Sequence, residues 1–363
     1  MKFFVSTGEI SGDLHLSYLV KEIFKESNQS VFYGVAGEHC KNVGVNITQD
    51  IKELAVMGFT QAVMKYRFLK KKAYEYLDFI EINKIEKVIL VDYGGFNLKF
   101  LELLKEKMPQ IEVYYYIPPK LWVWGEKRIK SLKLADHIMV IFPWEVEFYK
   151  SHGVKSVYFG NPFIEKYKVI KNRGDDILLL PGSRKQEIKK LLPIMLEVVE
   201  KRKDEKFLLK LASENHLNWI EADLGKYNNL RVQSEITLID AIKRSKIALA
   251  ASGTVILELA LMGIPGIVLY KTNLINEFIA RYILKLGFVS LPNLTLNEEV
   301  YPELLQRECN SVKISDEINR ILKDRNGINF KIEKIRKKLS GDEIIKSYAQ
   351  YILRGSKVSH EQN

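Results

Sequence analysis

Apolar residues in this chain arrive in short runs, each followed by a stretch with helical spacing. The runs Lys2–Ser6, Ser30–Val35, Lys87–Val91, Ile111–Ile117, His137–Ile141 and Val157–Phe159 predict strands. Leu14–Glu26, Lys70–Asn83, Phe96–Lys107 and Trp144–Ser151 predict helices. That alternation is the mark of βαβ units in a parallel sheet. Between Glu165 and Asp176 the pattern lapses into a polar, Lys-rich connection, then resumes. Strands at Ile177–Leu180, Phe207–Ala212, Leu230–Val232 and Ile247–Ala251 are predicted there, with helices at Lys185–Lys203, Thr237–Ser245 and on through Met262. The expected fold class is therefore α/β, with two doubly wound Rossmann-like domains facing a cleft. We place the domains at 1–164 and 165–330, with a helical tail at 331–363 that packs across the domains or onto a partner subunit.

Composition narrows the picture. A chain of 363 residues with 47% apolar and 28% charged content has the length and make-up of a two-domain globular protein. The amino terminus does not read as a signal peptide, because its apolar run stops at Ser6 and Glu9 follows. The longest apolar stretch, Ile247–Tyr270, is broken by Glu258, Gly263 and Pro265, so it reads as strand, turn, helix and strand rather than a membrane span. Two distant cysteines and scattered histidines predict a reducing, cytoplasmic setting and no protein-bound metal or other cofactor. The net charge of +11 calls for an acidic partner: nucleic acid, an anionic membrane surface or a phosphorylated substrate.

Ligands of open α/β sheets gather at the carboxyl ends of strands. Four such ends carry candidate chemistry. After Ile247–Ala251 come Ser252, Gly253 and Thr254, where a helix start aims amides and hydroxyls at one point. That pattern suits a phosphate or diphosphate, and it equally suits an ordinary capped helix. Glu258, one helical turn beyond Thr254, is placed to accept hydrogen bonds from a ribose diol. After Ile177–Leu180, Gly182, Ser183 and Arg184 again read as a phosphate cradle, or else Arg184 is a surface cation. After Lys2–Ser6 come Gly8, Glu9, Ser11, Gly12 and Asp13, and after Lys87–Val91 come Asp92 and Asn97. Asp92 is either a general base at the cleft or the cap of the next helix.

These residues resemble one family. Gly8–Asp13, Val35–Gly37, Glu53–Gly58, Leu180–Arg184, Ala251–Thr254 with Glu258, Val289–Leu294 and Pro302–Gln306 are similar, in order, to the motifs of lipid-A-disaccharide synthases. The resemblance runs to about Asn310 and implies the GT-B glycosyltransferase architecture. It also implies transfer from UDP-2,3-diacylglucosamine to 2,3-diacylglucosamine 1-phosphate (lipid X), with inversion. The products would be the β-1,6 lipid A disaccharide 1-phosphate and UDP. It implies a cytoplasmic enzyme peripheral on the inner membrane, with room for a homodimer and no nucleic-acid partner.

Carried over position by position, it makes Asp92 and Glu9 the catalytic carboxylates. The UDP side falls to Gly182, Ser183, Arg184, Ser252, Gly253, Thr254, Glu258, Asn293 and Gln306. The acceptor side falls to Gly8, Ser11, Gly12, Asp13, Asn97, Trp122 and Trp124. Two departures stand out. Gly95 occupies the position where the family commonly has a second aspartate, and Pro118–Trp124 replaces a Ser-Pro-Ser-Val-Trp-Ala-Trp pattern. Other UDP-sugar transferases and 2-epimerases share the architecture, and outside enzymes a basic RNA-binding protein is the competing reading. The last candidate is the acid-free stretch from Leu54 to Tyr74. Phe59, Val63, Tyr66 and Leu69 fall at helical spacing beside Lys65, Arg67 and Lys70–Lys72. This reads either as a membrane-facing helix or as a core-facing one.

Overall fold

The computed structural model describes residues 1–56, 62–122, 125–171, 173–271 and 287–355; the side chains of 54–56, 62–66, 126, 325 and 326 also fall outside the description. The apolar runs form two six-stranded parallel sheets. The first unites β1 (Lys2–Ser6), β2 (Val31–Ala36), β3 (Asn46–Asp50), β4 (Lys87–Val91), β5 (Glu112–Tyr116) and β6 (His137–Met139) in the order β3-β2-β1-β4-β5-β6. The second unites β7 (Asp176–Leu180), β8 (Phe207–Lys210), β9 (Leu230–Gln233), β10 (Ser245–Ala251), β11 (Gly266–Tyr270) and β12 (Glu303–Leu305) in the order β12-β11-β10-β7-β8-β9. Central strands are apolar on both faces because helices cover both. Phe3, Phe4 and Val5 in β1, and Ile247 through Ala250 in β10, are wholly buried.

Two strands escape a hydrophobicity pattern. β3 carries the polar sequence Asn-Ile-Thr-Gln-Asp at a sheet edge, and β12 is three residues long at the other sheet's edge. In the opposite sense, the strand expected at Val157–Phe159 reduces to a single bridge between Met139 and Val157. The chain has simply run off the sheet edge there.

By internal contacts the chain forms two units. Residues Met1–Pro162 join the chain from Ser340 onward, and Phe163–Leu339 form the second. The stretch from 331 is thus shared between them. Helix Arg325–Leu339 stays in the second unit, where Arg336 donates to the carbonyls of Tyr167 at 2.9 Å and Leu261 at 2.7 Å. Helix Ile344–Arg354 packs on helix Ile10–Glu26 of the first unit through a buried stripe of Ile344, Ile345, Tyr348, Ala349 and Ile352.

Each sheet reverses its strand order once. In the first unit the chain winds outward from β1 to β3, then returns to lay β4 on the other side of β1. In the second it winds from β7 to β9, then lays β10 beside β7. At such a switch point the flanking helices diverge and leave a crevice at the strands' carboxyl ends.

Candidate functional site

The first unit's switch point is a strained turn. β4 ends at Val91, and the next two residues, Asp92 and Tyr93, take left-handed backbone with φ of 44° and 49°. Side chains other than glycine resist that region, so the neighbourhood must hold it. The Asp92 amide donates to Ile117 O at 3.0 Å, and Tyr115 Oη donates to Asp92 O at 2.8 Å. Asn97, with no exposed surface, completes the brace. Its Nδ2 donates to Ser6 O, Val91 O and Asp92 O at 3.1, 3.2 and 3.1 Å, while Ser6 Oγ donates to its Oδ1 at 2.7 Å. The ends of β1 and β4 are therefore locked together, with the half-buried Asp92 presented beside them.

The glycines after β1 serve close approach. A Cβ at Gly8 would sit 2.2 Å from the Tyr93 ring, so only glycine lets the loop pass beneath it. Glu9, exposed at the start of helix Ile10–Glu26, lies within electrostatic reach of Tyr93: burial, and then the Glu9 charge, push the Tyr93 phenol upward. Asp92 and Glu9, predicted as the catalytic pair, thus share one strand-end region.

Two expected acceptor-side residues are taken by the fold. Asp13 is buried and accepts from the amides of Gly37 at 2.7 Å and His39 at 2.9 Å, holding the start of helix Glu38–Asn42. Asn97 is occupied as just described. Gly12 faces the Thr7 hydroxyl, and Ser11 is half-buried in the first helical turn. Trp122 is half-buried and donates its Nε1–H to Glu145 at 3.2 Å, whereas Trp124 lies outside the described residues.

The second unit's switch point is more open. Gly253 is extended and exposed; among the described residues nothing lies within 4 Å of where a Cβ would stand, and helix Thr254–Leu261 starts with no side-chain cap. A helix start without a side-chain cap leaves its first amides for another acceptor, as an anion site requires. Ser252 is fixed by its amide donating to Leu269 O at 3.0 Å. One turn on, the largely buried Glu258 accepts from Tyr167 Oη at 2.5 Å, and burial raises its pKa against the pull of that hydrogen bond. At the end of β7 the picture differs. Gly182, at φ 107°, lies against Glu187, whose carboxylate accepts from the amides of Ser183 at 3.2 Å and Arg184 at 3.3 Å. These amides are therefore capped by the Glu187 carboxylate. Arg184 itself keeps 67% of its side chain exposed, with Nη1 3.7 Å from Glu187, so its guanidinium is accessible to an anion. Tyr270, at the end of β11, is pushed upward by burial and then by the Glu187 charge, and pulled down by Arg184, so it stands beside both. Gln306, left-handed at φ 50°, is tied to it through its amide at 2.8 Å.

Asn293, expected on the UDP side, is also engaged within the fold. It is fully buried, donates to Tyr301 O and Glu303 Oε1 at 2.8 Å each, and accepts from the amides of Val300 at 2.9 Å and Tyr301 at 3.0 Å. Its side-chain amide is saturated and organises the 298–303 turn. Glu303, part of the Pro302–Gln306 motif but given no role there, accepts from the amides of Val289 and Ser290, both at 2.9 Å. Nothing local signals that role. Glu187 carries no such signal either, since Arg184 at the N-cap lacks the acceptor that a capping box requires. Of the membrane-facing set, Phe59 and the side chains of Val63 and Tyr66 lie outside the described residues. Leu69 is half-buried against the first unit's core. Among the described residues no helix is long and apolar enough to cross a membrane, and no three His, Cys, Asp or Glu side chains cluster as metal ligands.

The family model for lipid-A-disaccharide synthetase matches residues 3–353. The lipid-A-disaccharide synthase of Syntrophus aciditrophicus is 32% identical over 357 residues, spanning 92% of this chain and 92% of the relative. That of Nitrosococcus oceani is 33% identical over 343 residues, spanning 88% and 87%. Among solved structures, Methanocaldococcus jannaschii UDP-GlcNAc 2-epimerase in complex with UDP-GlcNAc and UDP matches with a TM-score of 0.68 at 12% identity, covering 98% of this chain and 100% of that one. That likeness shows the two-domain GT-B fold. The sequence matches go further: the chain belongs to the lipid-A-disaccharide synthetase family.

Proposed function

We propose that the chain is a glycosyltransferase that moves 2,3-diacylglucosamine from its UDP derivative onto the 6-hydroxyl of 2,3-diacylglucosamine 1-phosphate. One observation supports this most. The two switch points carry complementary chemistry, carboxylates in the first unit and anion donors in the second, in a chain of this family. In the reaction, the acceptor O6 attacks the anomeric carbon as the bond to the UDP oxygen breaks on the opposite face. Asp92 takes the O6 proton, with Glu9 the next candidate. Arg184 and the amides after Gly253 meet the charge growing on the diphosphate, and Glu258 holds the ribose. No metal is invoked, because these donors supply the neutralisation. Lipid substrates place the enzyme at the cytoplasmic face of a membrane, where Arg67, Lys70, Lys71 and Lys72 would meet anionic headgroups.

The test is UDP release. Release should require both acylated sugars, survive EDTA and yield one disaccharide phosphate per UDP. The protein should also sediment with anionic vesicles and not with neutral ones. Formation of a 2-epimer without acceptor would favour the epimerase reading that the shared fold allows. Strict dependence on a divalent ion would end the metal-free mechanism.

A further inference from the structure

A buried carboxylate lies outside the chemistry so far described. Glu145, in the first turn of helix Pro143–Ser151, is 4% exposed. One oxygen accepts from Trp122 Nε1 at 3.2 Å and the other from the Phe142 amide at 3.3 Å. Around this pair sits an aromatic group: Phe142 stacks on Trp144 at 4.4 Å, and Trp144 meets Trp122 edge-on at 6.4 Å. From Trp122 the chain runs back to the catalytic turn. Leu121 is buried in the core, Pro119 presses on Gly94, Tyr149 Oη donates to Pro119 O at 3.4 Å, and Ile117 O receives the Asp92 amide. Helix Pro143–Ser151 thus grips the segment Ile117–Trp122 at two points, through Glu145 and Tyr149.

We propose that Glu145 is a positioning residue, whose ionised carboxylate fixes Trp122 as a rigid wall of the acceptor site and steadies the backbone that carries Asp92. The proposal rests on the glycosyltransferase reading for what the wall contacts, but not for the coupling itself. A helix cap alone would need only the Phe142 contact. The second oxygen, spent on an indole from a different segment, is what a cap does not explain. A carboxylate also binds two N–H donors more strongly than the neutral acid does.

The groups facing Glu145 are Lys120, Tyr149, Tyr158 and Tyr348. Lys120 favours the carboxylate, while burial dominates and raises its pKa to about 7. The three phenols are themselves pushed upward by burial and stay neutral through that range. Below neutrality Glu145 protonates and the grip on Trp122 loosens; above it the grip is complete.

The experiment compares the full-length parent with Glu145→Gln and Trp122→Phe between pH 6 and pH 8. Intrinsic tryptophan emission of the parent, without substrates, should show a step near neutral pH that Glu145→Gln lacks. The parent's acceptor KM should fall as pH rises, while both variants should be flat, with KM raised at least about tenfold at pH 8. UDP affinity and melting temperature should stay near the parent's. An emission step that persists in Glu145→Gln overturns the proposal. So does an acceptor KM that keeps the parent's pH dependence in either variant, since Glu145 would then be a cap alone. Should the parent release no UDP with any acylated acceptor, the functional reading fails, and the emission step still decides the Glu145–Trp122 coupling.

Discussion

The two switch points are built alike and finished differently. Each sheet reverses its strand order between two central parallel strands, and each places short polar turns at the carboxyl ends of those strands. In the first unit the turn is strained and crowded. Asp92 and Tyr93 are both left-handed, Asn97 is saturated, and Gly8 survives only because it has no side chain. In the second unit the turn at Gly253 is open: among the described residues it has no side-chain cap and nothing within 4 Å of where a Cβ would stand. Rigid crowding suits a group that must hold a proton acceptor in one place. An open helix start suits a ligand that brings its own charge. On the proposed reaction, the difference assigns each half to one unit: the first would supply the base and the second the leaving-group site.

The largest effect should come from removing the base. Asp92→Asn changes little volume and keeps the backbone contacts that hold the turn, so the fold should stand. Turnover should drop by at least about 100-fold. If steady-state UDP release stays within a few-fold of the parent, Asp92 is not the base and the comparison loses its first half.

A second substitution sharpens the line between residues that serve ligands and residues that serve the fold. Asn293→Ala would strand four hydrogen-bonding partners in a buried turn. Each buried group left unmatched costs about 1–3 kcal/mol, so thermal or urea unfolding should show a clear loss of stability. UDP affinity of the surviving folded protein should be unchanged. A variant that melts like the parent but binds UDP poorly would restore Asn293 to the donor site.

Much of this was legible in the sequence. The alternation of short apolar runs and helical spacing gives the parallel sheets, and the four strand ends that carry Gly8–Glu9, Asp92, Gly182–Arg184 and Ser252–Thr254 flank the two switch points. What the sequence hides is the destination of polar side chains. Asp13, Asn97 and Asn293 have the residue types of ligand contacts, yet burial turns each toward backbone amides or carbonyls, and burial is set by segments distant in the chain. β3 was hidden for a related reason, because an edge strand of polar residues leaves no periodic apolar trace. The capping of the Ser183 and Arg184 amides by Glu187 was hidden as well, since the sequence has Arg at the N-cap and not a capping-box residue. It occupies the amides at that helix start, while the Arg184 side chain stays 67% exposed.

The division of labour between the units can be tested by titrating UDP into four proteins in a calorimeter: the parent, Asp92→Asn, Arg184→Ala and Glu258→Ala. Asp92→Asn should bind UDP as the parent does. Each of the other two should lose a charge-assisted contact and bind about tenfold more weakly or worse. Equal weakening in Asp92→Asn, or parent-like binding in both second-unit variants, would contradict the assignment of base and leaving group to separate units.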